Sequence, residues 1–255
     1  MGWRDWLALE RTGGGPSPDT PETTLKHGGI IRRKRLLARF YAENYRFFQE
    51  AAGNAPPGPR LEIGSGAGFI KEIIPEAVTS DYMFLPTLDL NCSALALPFR
   101  DRSLGAVFLM DVFHHLPEVE LFFREAVRCL RPGGVLALVE PALTPWGRLV
   151  YRHLHHEPCD PGSPDWRFPQ GGPLSAANSA LPWMVFVRDR DRFNKLFPEL
   201  TLQSLEYRYP VLYLLSGGLA YRQMCPDFAA IALEKLLHPF DRRLGLFMRV
   251  VLRRA

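Results

Sequence analysis

The nine residues Leu61-Glu62-Ile63-Gly64-Ser65-Gly66-Ala67-Gly68-Phe69 join a short apolar strand to a glycine-rich turn and predict a helix behind it. Glycines lack a Cβ and let the backbone approach a ligand closely. The first turn of a helix offers that ligand unpaired N–H groups, so the pattern reads as a nucleotide-cradling loop. Its spacing narrows the ligand. A dinucleotide fingerprint runs G-x-G-x-x-G, whereas Gly68 comes one residue early and Phe69 stands where the third glycine is needed. Glu62, two residues before the first glycine, would repel a pyrophosphate and suits a ligand carrying an ammonium and a sulfonium group.

Three further motifs follow in order. Ala77-Val78-Thr79-Ser80-Asp81 reads as a second strand ending in an acid, 17 residues after Gly64. Ser93-Ala94-Leu95-Ala96-Leu97-Pro98-Phe99 precedes the apolar strand Ala106–Met110 and then Asp111-Val112-Phe113-His114-His115-Leu116. Leu130 to Pro141 holds a helix stop, a Pro-Gly-Gly turn and a buried strand. With these four motifs in register, Leu61 to Pro141 resembles the core of a class I S-adenosylmethionine-dependent methyltransferase of the small-molecule, type 11-like branch.

The resemblance implies an α/β fold: a Rossmann-like, seven-stranded, mostly parallel sheet with helices on both faces. It implies S-adenosylmethionine as cofactor, held by Glu62, Gly64, Ser65, Gly66, Gly68, Asp81, Ser93, Ala94 and Asp111. Asp81 would bond the ribose hydroxyls. Ser93 stands where the family often has an acid for the adenine amino group, and Leu104-Gly105 replaces the usual Phe-Asp. Asp111 either meets the methionine end of the cofactor or caps a helix. The implied reaction is in-line displacement, in which alignment and water exclusion do most of the work and an oxygen acceptor also needs a proton removed. His115, His114 and, later, His153 lie where the sheet's carboxyl edge opens, and a near-neutral imidazole suits that task. Capping or packing of the next helix is the plain alternative for His114 and His115. A metal site pairing His153 with Glu157 one helical turn on finds no second ligand pair of fitting spacing, so no metal is expected.

These residues need elements to position them. Residues 1–29 read as a flexible segment, with a linker from Arg11 to Thr24 around Gly13-Gly14-Gly15-Pro16. The remainder, 30–255, reads as one methyltransferase domain. Within it an N-terminal helix region spans 30–58, a cofactor-binding core 60–141 with helices alternating between strands, and a substrate-side segment 142–199. A Thr144-Pro145 cap opens a helix to about His155. The last two strands are expected at Leu200–Tyr207 and Leu246–Leu252. Between them 208–245 forms an insertion, with a helix from Asp227 to Leu237, too long for a turn and too apolar to stay solvated. It reads as a lid.

Composition bounds the rest. The chain has 255 residues, 47% of them apolar, enough for one globular domain with additions. No apolar run reaches the ~18 residues of a membrane span, and no signal core opens the chain, so a cytoplasmic location is expected. Four scattered cysteines fit a reducing compartment. The net charge of +4 is modest, but Arg32, Arg33, Lys34, Arg35 and Arg39 cluster at one end, and Arg242, Arg243, Arg249, Arg253 and Arg254 at the other. Solvated faces would explain them. Interleaved apolar residues favour an anionic membrane surface over nucleic acid, since no RNA-binding module is recognisable. The favoured function is methyl transfer to a small or amphiphilic, lipid-linked acceptor at oxygen. The alternatives are an RNA methyltransferase and an inactive methyltransferase-like binding protein. Nothing in the sequence fixes the oligomeric state.

Overall fold

The computed structural model describes residues 19–155, 157–169, 171–172 and 175–255. Among the described residues seven strands form one sheet: β1 (Arg60–Ile63), β2 (Ala77–Asp81), β3 (Leu90–Asn91), β4 (Leu104–Met110), β5 (Leu130–Pro141), β6 (Leu200–Arg208) and β7 (Phe247–Arg254). Their order is β3-β2-β1-β4-β5-β7-β6, parallel except for β7, which runs antiparallel to both neighbours. This is the Rossmann-like α/β fold that the motifs imply.

The central strand β4 is buried along its whole length, as its unbroken apolar run requires of a strand covered on both faces. Alternation splits its side chains. Val107 and Leu109 join the core built on Phe122, Phe123 and Ala126 of helix α3 (Val119–Cys129). Ala106, Phe108 and Met110 join the opposite core, where Phe48 stacks on Phe108 with centroids 4.9 Å apart. Phe48 belongs to the N-terminal pair of helices, here α1 (Pro21–Arg33) and α2 (Arg35–Ala51), which cover the second face.

Several expectations are corrected. Residues 1–18 of the expected flexible segment lie outside the described residues, but 21–29 are helical. Thr20 caps α1 by accepting from the Thr23 N–H at 3.3 Å, with Pro21 following. The expected single helix is broken at Lys34, whose backbone is extended. Its ammonium group reaches across to the carbonyls of Gly218 and Tyr221, the latter at 2.7 Å, tying the break to the insertion. The helix expected behind the glycine loop is a single 3-10 turn, Ile70–Glu72. β-Branched Ile73 and Ile74 and then Pro75 stop it, and β2 starts two residues later. No helix lies between β2 and β3 or between β3 and β4 among the described residues. Regular strand–helix alternation is therefore confined to α3.

On the substrate side, Thr144 caps α4 (Pro145–His153) through the Gly147 N–H at 2.9 Å. A turn at Leu181–Trp183 and a π-helical turn at Met184–Arg188 lead into α5 (Arg190–Leu196). The insertion contains α6 (Leu212–Ser216) and α7 (Asp227–Leu237). It packs on α2 rather than standing free: Phe40 meets Tyr209 and Tyr213 at 4.9 and 5.0 Å, and Tyr213 meets Phe247 at 4.9 Å. No helix among the described residues is long and apolar enough to cross a membrane.

Candidate active site

The glycine loop is stitched to the end of β2. Ser65 N–H donates to the Ser80 carbonyl at 2.8 Å, Ser80 N–H returns to Ser65 Oγ at 3.2 Å, and Gly66 N–H donates to Asp81 Oδ2 at 3.0 Å. Asp81 Oδ1 accepts from the Met83 N–H at 2.9 Å. Each carboxylate oxygen keeps a further lone pair, so Asp81 fixes the loop and remains able to accept from a ligand. Gly64 and Gly66 have φ of +69° and +50°, which residues with a Cβ adopt only under strain. A Cβ on Gly64 would collide with Val112, and one on Gly68 with the Tyr45 hydroxyl. At Gly66 it would enter open space, with Thr24 Cγ2 its nearest neighbour at 3.6 Å.

Two helices close this cradle. α1 lies directly on the loop: a Cβ on Gly28 would sit 2.9 Å from Ala67 Cβ. From α2, the Tyr45 hydroxyl accepts from the Phe69 N–H at 3.3 Å. Glu62 is buried, and burial pushes its carboxyl up to about 7. Its Oε2 and the buried Thr24 Oγ1 have no hydrogen-bond partner. Unpartnered buried polar atoms are costly, so the two atoms suit contact with a polar ligand. Ser93, at the end of β3, accepts from the Leu95 N–H at 3.1 Å and keeps its hydroxyl proton for donation, beside buried Ala94.

At the end of β4 the chain enters a second cluster. Asp111 has φ +60°, and its N–H donates to the Val139 carbonyl at 2.8 Å. It caps no helix; that work falls to Glu140, whose Oε1 accepts from the N–H groups of Val112 and Phe113 at 2.9 and 2.8 Å. Burial first, with Glu157 and Glu140 adding and His114 offsetting, pushes the Asp111 carboxyl up to about 7. Burial and then the charges of Asp111 and Glu62 raise the Tyr41 hydroxyl, and Asp111 acts likewise on Tyr151 and Tyr213. Tyr41, Tyr151 and Tyr213, from three separate elements, thus come within electrostatic reach of this carboxyl, and Tyr41 also within that of Glu62.

The histidines divide. His114 is buried between two carboxylates, with Nδ1 2.7 Å from Glu140 Oε2 and Nε2 3.2 Å from Glu157 Oε2. Burial opposes its charge, but the two acids outweigh that and raise its pKa well above the ordinary value. It is therefore held as an imidazolium and is unfit as a base. His115 Nδ1 lies 2.9 Å from the Ala176 carbonyl, and Nε2 is 3.6 Å from Glu157 Oε1. Burial and the neighbouring His114 lower its pKa to about 4, so it stays neutral. His153 is exposed in the last turn of α4, and the structure does not bring it to this group. His156 lies outside the described residues. Because α4 stops at His153, the pairing of His153 with Glu157 on one helix does not form. Glu157 instead meets His114 and His115, and these three bring ligand-type atoms within 4.8 Å of one another.

Sequence reasoning missed Glu140, Thr24 and the tyrosines. Glu140 had a signal, as the one charged residue at the end of the apolar run Val135–Val139. Tyr41 and Tyr45 were indistinguishable from core aromatics until the helix was oriented.

Residues 61–138 match the family described as "Methyltransferase domain". Residues 61–138 are thus similar to a methyltransferase domain, and they lie on the Rossmann-like sheet described above. Among known proteins, 52 residues are 42% identical to a 27-O-demethylrifamycin SV methyltransferase of Amycolatopsis mediterranei, covering 20% of this chain and 19% of that protein. A probable S-adenosylmethionine-dependent methyltransferase of Mycolicibacterium smegmatis is 28% identical over 141 residues, 48% of this chain and 55% of that protein. The matches thus take in about a fifth to about half of these relatives' lengths. The fold matches geranyl diphosphate C-methyltransferase from Streptomyces coelicolor, solved with Mg2+, geranyl diphosphate and S-adenosyl-L-homocysteine. Its TM-score is 0.52 at 13% identity, over 97% of this chain and 90% of that one. The orphaned Glu62 and Thr24 atoms and the open space over Gly66 fit the family's cofactor at this loop.

Proposed function

We propose that this chain transfers a methyl group from S-adenosylmethionine to the oxygen of a small, amphiphilic acceptor. The observation that carries the reading is the pair of orphaned polar atoms, Glu62 Oε2 and Thr24 Oγ1, at the glycine loop, with the Tyr41 hydroxyl within electrostatic reach of both Glu62 and Asp111. When bound, the cofactor supplies a methyl group already activated on a sulfonium. Asp81 orients the nucleoside end against the glycine loop, Ser93 and Ala94 border the base, and the carboxylates of Glu62 and Asp111 attract the cationic end. Tyr41, Tyr151 and Tyr213 wall the chamber and exclude water, which favours alignment of the reacting atoms. Activation of an acceptor hydroxyl is assigned to the end formed by His115 and Glu157, because His114 already carries its proton.

Two observations support an amphiphilic, lipid-linked acceptor met at an anionic membrane surface. The outer face of α7 exposes Phe228, Ala232 and Leu236 at helical spacing, with Phe228 77% and Leu236 70% exposed and Phe240 beside them. The rim is basic: Arg222, Lys235, Arg242 and Arg243 are exposed, whereas Glu234 turns inward to accept from the Val211 and Leu212 N–H groups. An apolar stripe with cations beside it complements an anionic lipid surface.

Incubating the protein with methyl-labelled cofactor and a cell extract fractionated into lipid, RNA, protein and small-molecule pools tests the reading. Label in the lipid or small-molecule pool is expected. Label in RNA alone would replace this reading with an RNA methyltransferase, and no label in any pool would leave a binding protein.

A further inference from the structure

We infer that His114, His115 and Glu157 form a binding site for a divalent transition-metal ion of the zinc type. One ligand atom from each lies within 4.8 Å of the others. Proximity alone would be weak; the orientation of the rings carries more. Ala176 presents a carbonyl oxygen 2.9 Å from His115 Nδ1, and a carbonyl can only accept. Nδ1 of His115 therefore bears the hydrogen, and the neutral ring's Nε2 shows a lone pair to Glu157 Oε1 at 3.6 Å. Two acceptors face each other. A cation between them turns that mismatch into two bonds.

His114 is prepared in the same sense. Its Nδ1 is anchored 2.7 Å from Glu140 Oε2, and its Nε2, 3.2 Å from Glu157 Oε2, would give up its proton as an ion takes that proton's place. A carboxylate or a backbone carbonyl on the far nitrogen is the outer-shell arrangement that orients histidine ligands at metal centres. Zinc bonds of about 2.0–2.1 Å in tetrahedral geometry place neighbouring ligand atoms roughly 3.3 Å apart. The imidazole nitrogens lie 3.2 Å from Oε2 and 3.6 Å from Oε1 of Glu157, and one atom from each residue lies within 4.8 Å of the others, so the group must draw together around an ion. Two imidazoles and one carboxylate suit a zinc-type ion, whereas magnesium and calcium prefer all-oxygen shells. Glu157 is steadied by Ser179 Oγ at 3.3 Å.

Three protein ligands leave a coordination position free, the arrangement of ions that polarise or acidify a bound oxygen. In this chamber that oxygen would be the acceptor hydroxyl. That role rests on the methyl-transfer reading above, whereas ion binding itself does not.

The test reads metal, not methyl transfer. Tag-free protein is stripped with a chelator and titrated with Zn2+ by calorimetry and, separately, with Co2+ by visible absorption. His115→Ala, Glu157→Ala and Glu140→Gln are treated alike, with S-adenosyl-L-homocysteine binding as the check on folding. One equivalent of ion is expected in the parent protein, with visible bands of a four- or five-coordinate cobalt site. Affinity should fall at least ~100-fold in the two ligand variants and roughly 10- to 100-fold in Glu140→Gln. A parent protein that binds the homocysteine product but takes up no stoichiometric ion overturns the inference, whatever the variants do. So does an equivalent of ion bound equally well by folded His115→Ala and Glu157→Ala.

Discussion

At the scale of single residues, the site depends on carboxyls placed where water is scarce. Glu62 in the folded chain titrates near 7 because it is buried, against an ordinary value of 4.5. Between those two pH values the folded state holds a proton that the unfolded state has lost. The stability of the cofactor-free protein should therefore fall as pH rises through this window, and Glu62→Gln should flatten the trend in urea unfolding. A cationic ligand favours the ionised carboxylate, so its affinity should rise as pH increases from about 6 to 8, with a weaker slope in Glu62→Gln by calorimetry. An equal slope in both proteins would remove Glu62 from the binding group. The acid was legible in the sequence from its place before the glycines. Its unpartnered oxygen was not, since that depends on Tyr45 and Thr24 arriving from helices distant along the chain. The same holds for His114 and His115. Their position at the sheet's edge was readable, but the opposite fates of the two rings follow from Glu140, Glu157 and Ala176.

At the scale of elements, β4 and the Val135–Val139 part of β5 could be read because buried parallel strands leave unbroken apolar runs, β1 from the glycine loop that follows it, β2 from the acid that ends it, and α7 because its periodic stretch is bounded by Pro226 at its start. The helix after the loop was misjudged because glycine spacing says how a loop begins, not how far the next element runs before Pro75. The break at Lys34 was not legible locally, and the residues its side chain bonds there, Gly218 and Tyr221, lie far along the chain. α1 and α2 differ in what they hold together. Phe48→Ala in α2 removes a fully buried ring stacked on Phe108 and should cost about 3–5 kcal/mol in urea unfolding. Gly28→Val in α1 should act differently, because its Cβ would press on Ala67 in the loop. Cofactor affinity should drop more than ~10-fold, an expectation of over about 1.4 kcal/mol, with a smaller change in global stability. Similar losses of stability in both variants would show that α1 is a structural brace and no cover for the cradle.

At the scale of the whole molecule, the two basic ends do not form one cationic surface. Arg249 is spent on Asn44 Oδ1 at 2.9 Å and the Tyr209 hydroxyl at 2.5 Å; Arg253 bonds the Gly133 carbonyl at 2.8 Å, and Arg254 bonds that of Leu130. Sequence proximity suggested a patch because it counts charges and not the carbonyls they satisfy. The remaining exposed cations near α7 should give salt-sensitive flotation with anionic vesicles, lost in the Phe228→Glu, Leu236→Glu double variant while cofactor affinity is kept. Flotation that persists in that variant would move the contact elsewhere on the surface. The account as a whole stands on the cradle, and calorimetry with S-adenosyl-L-homocysteine on the parent protein, Gly66→Val and Asp81→Ala tests it most directly. The parent should bind one equivalent. Gly66→Val should abolish binding by filling the space over the loop and straining a backbone held at φ +50°. Asp81→Ala should lose about 2 kcal/mol, roughly thirtyfold in affinity. A parent protein that does not bind, or undiminished affinity in both variants, would contradict the account.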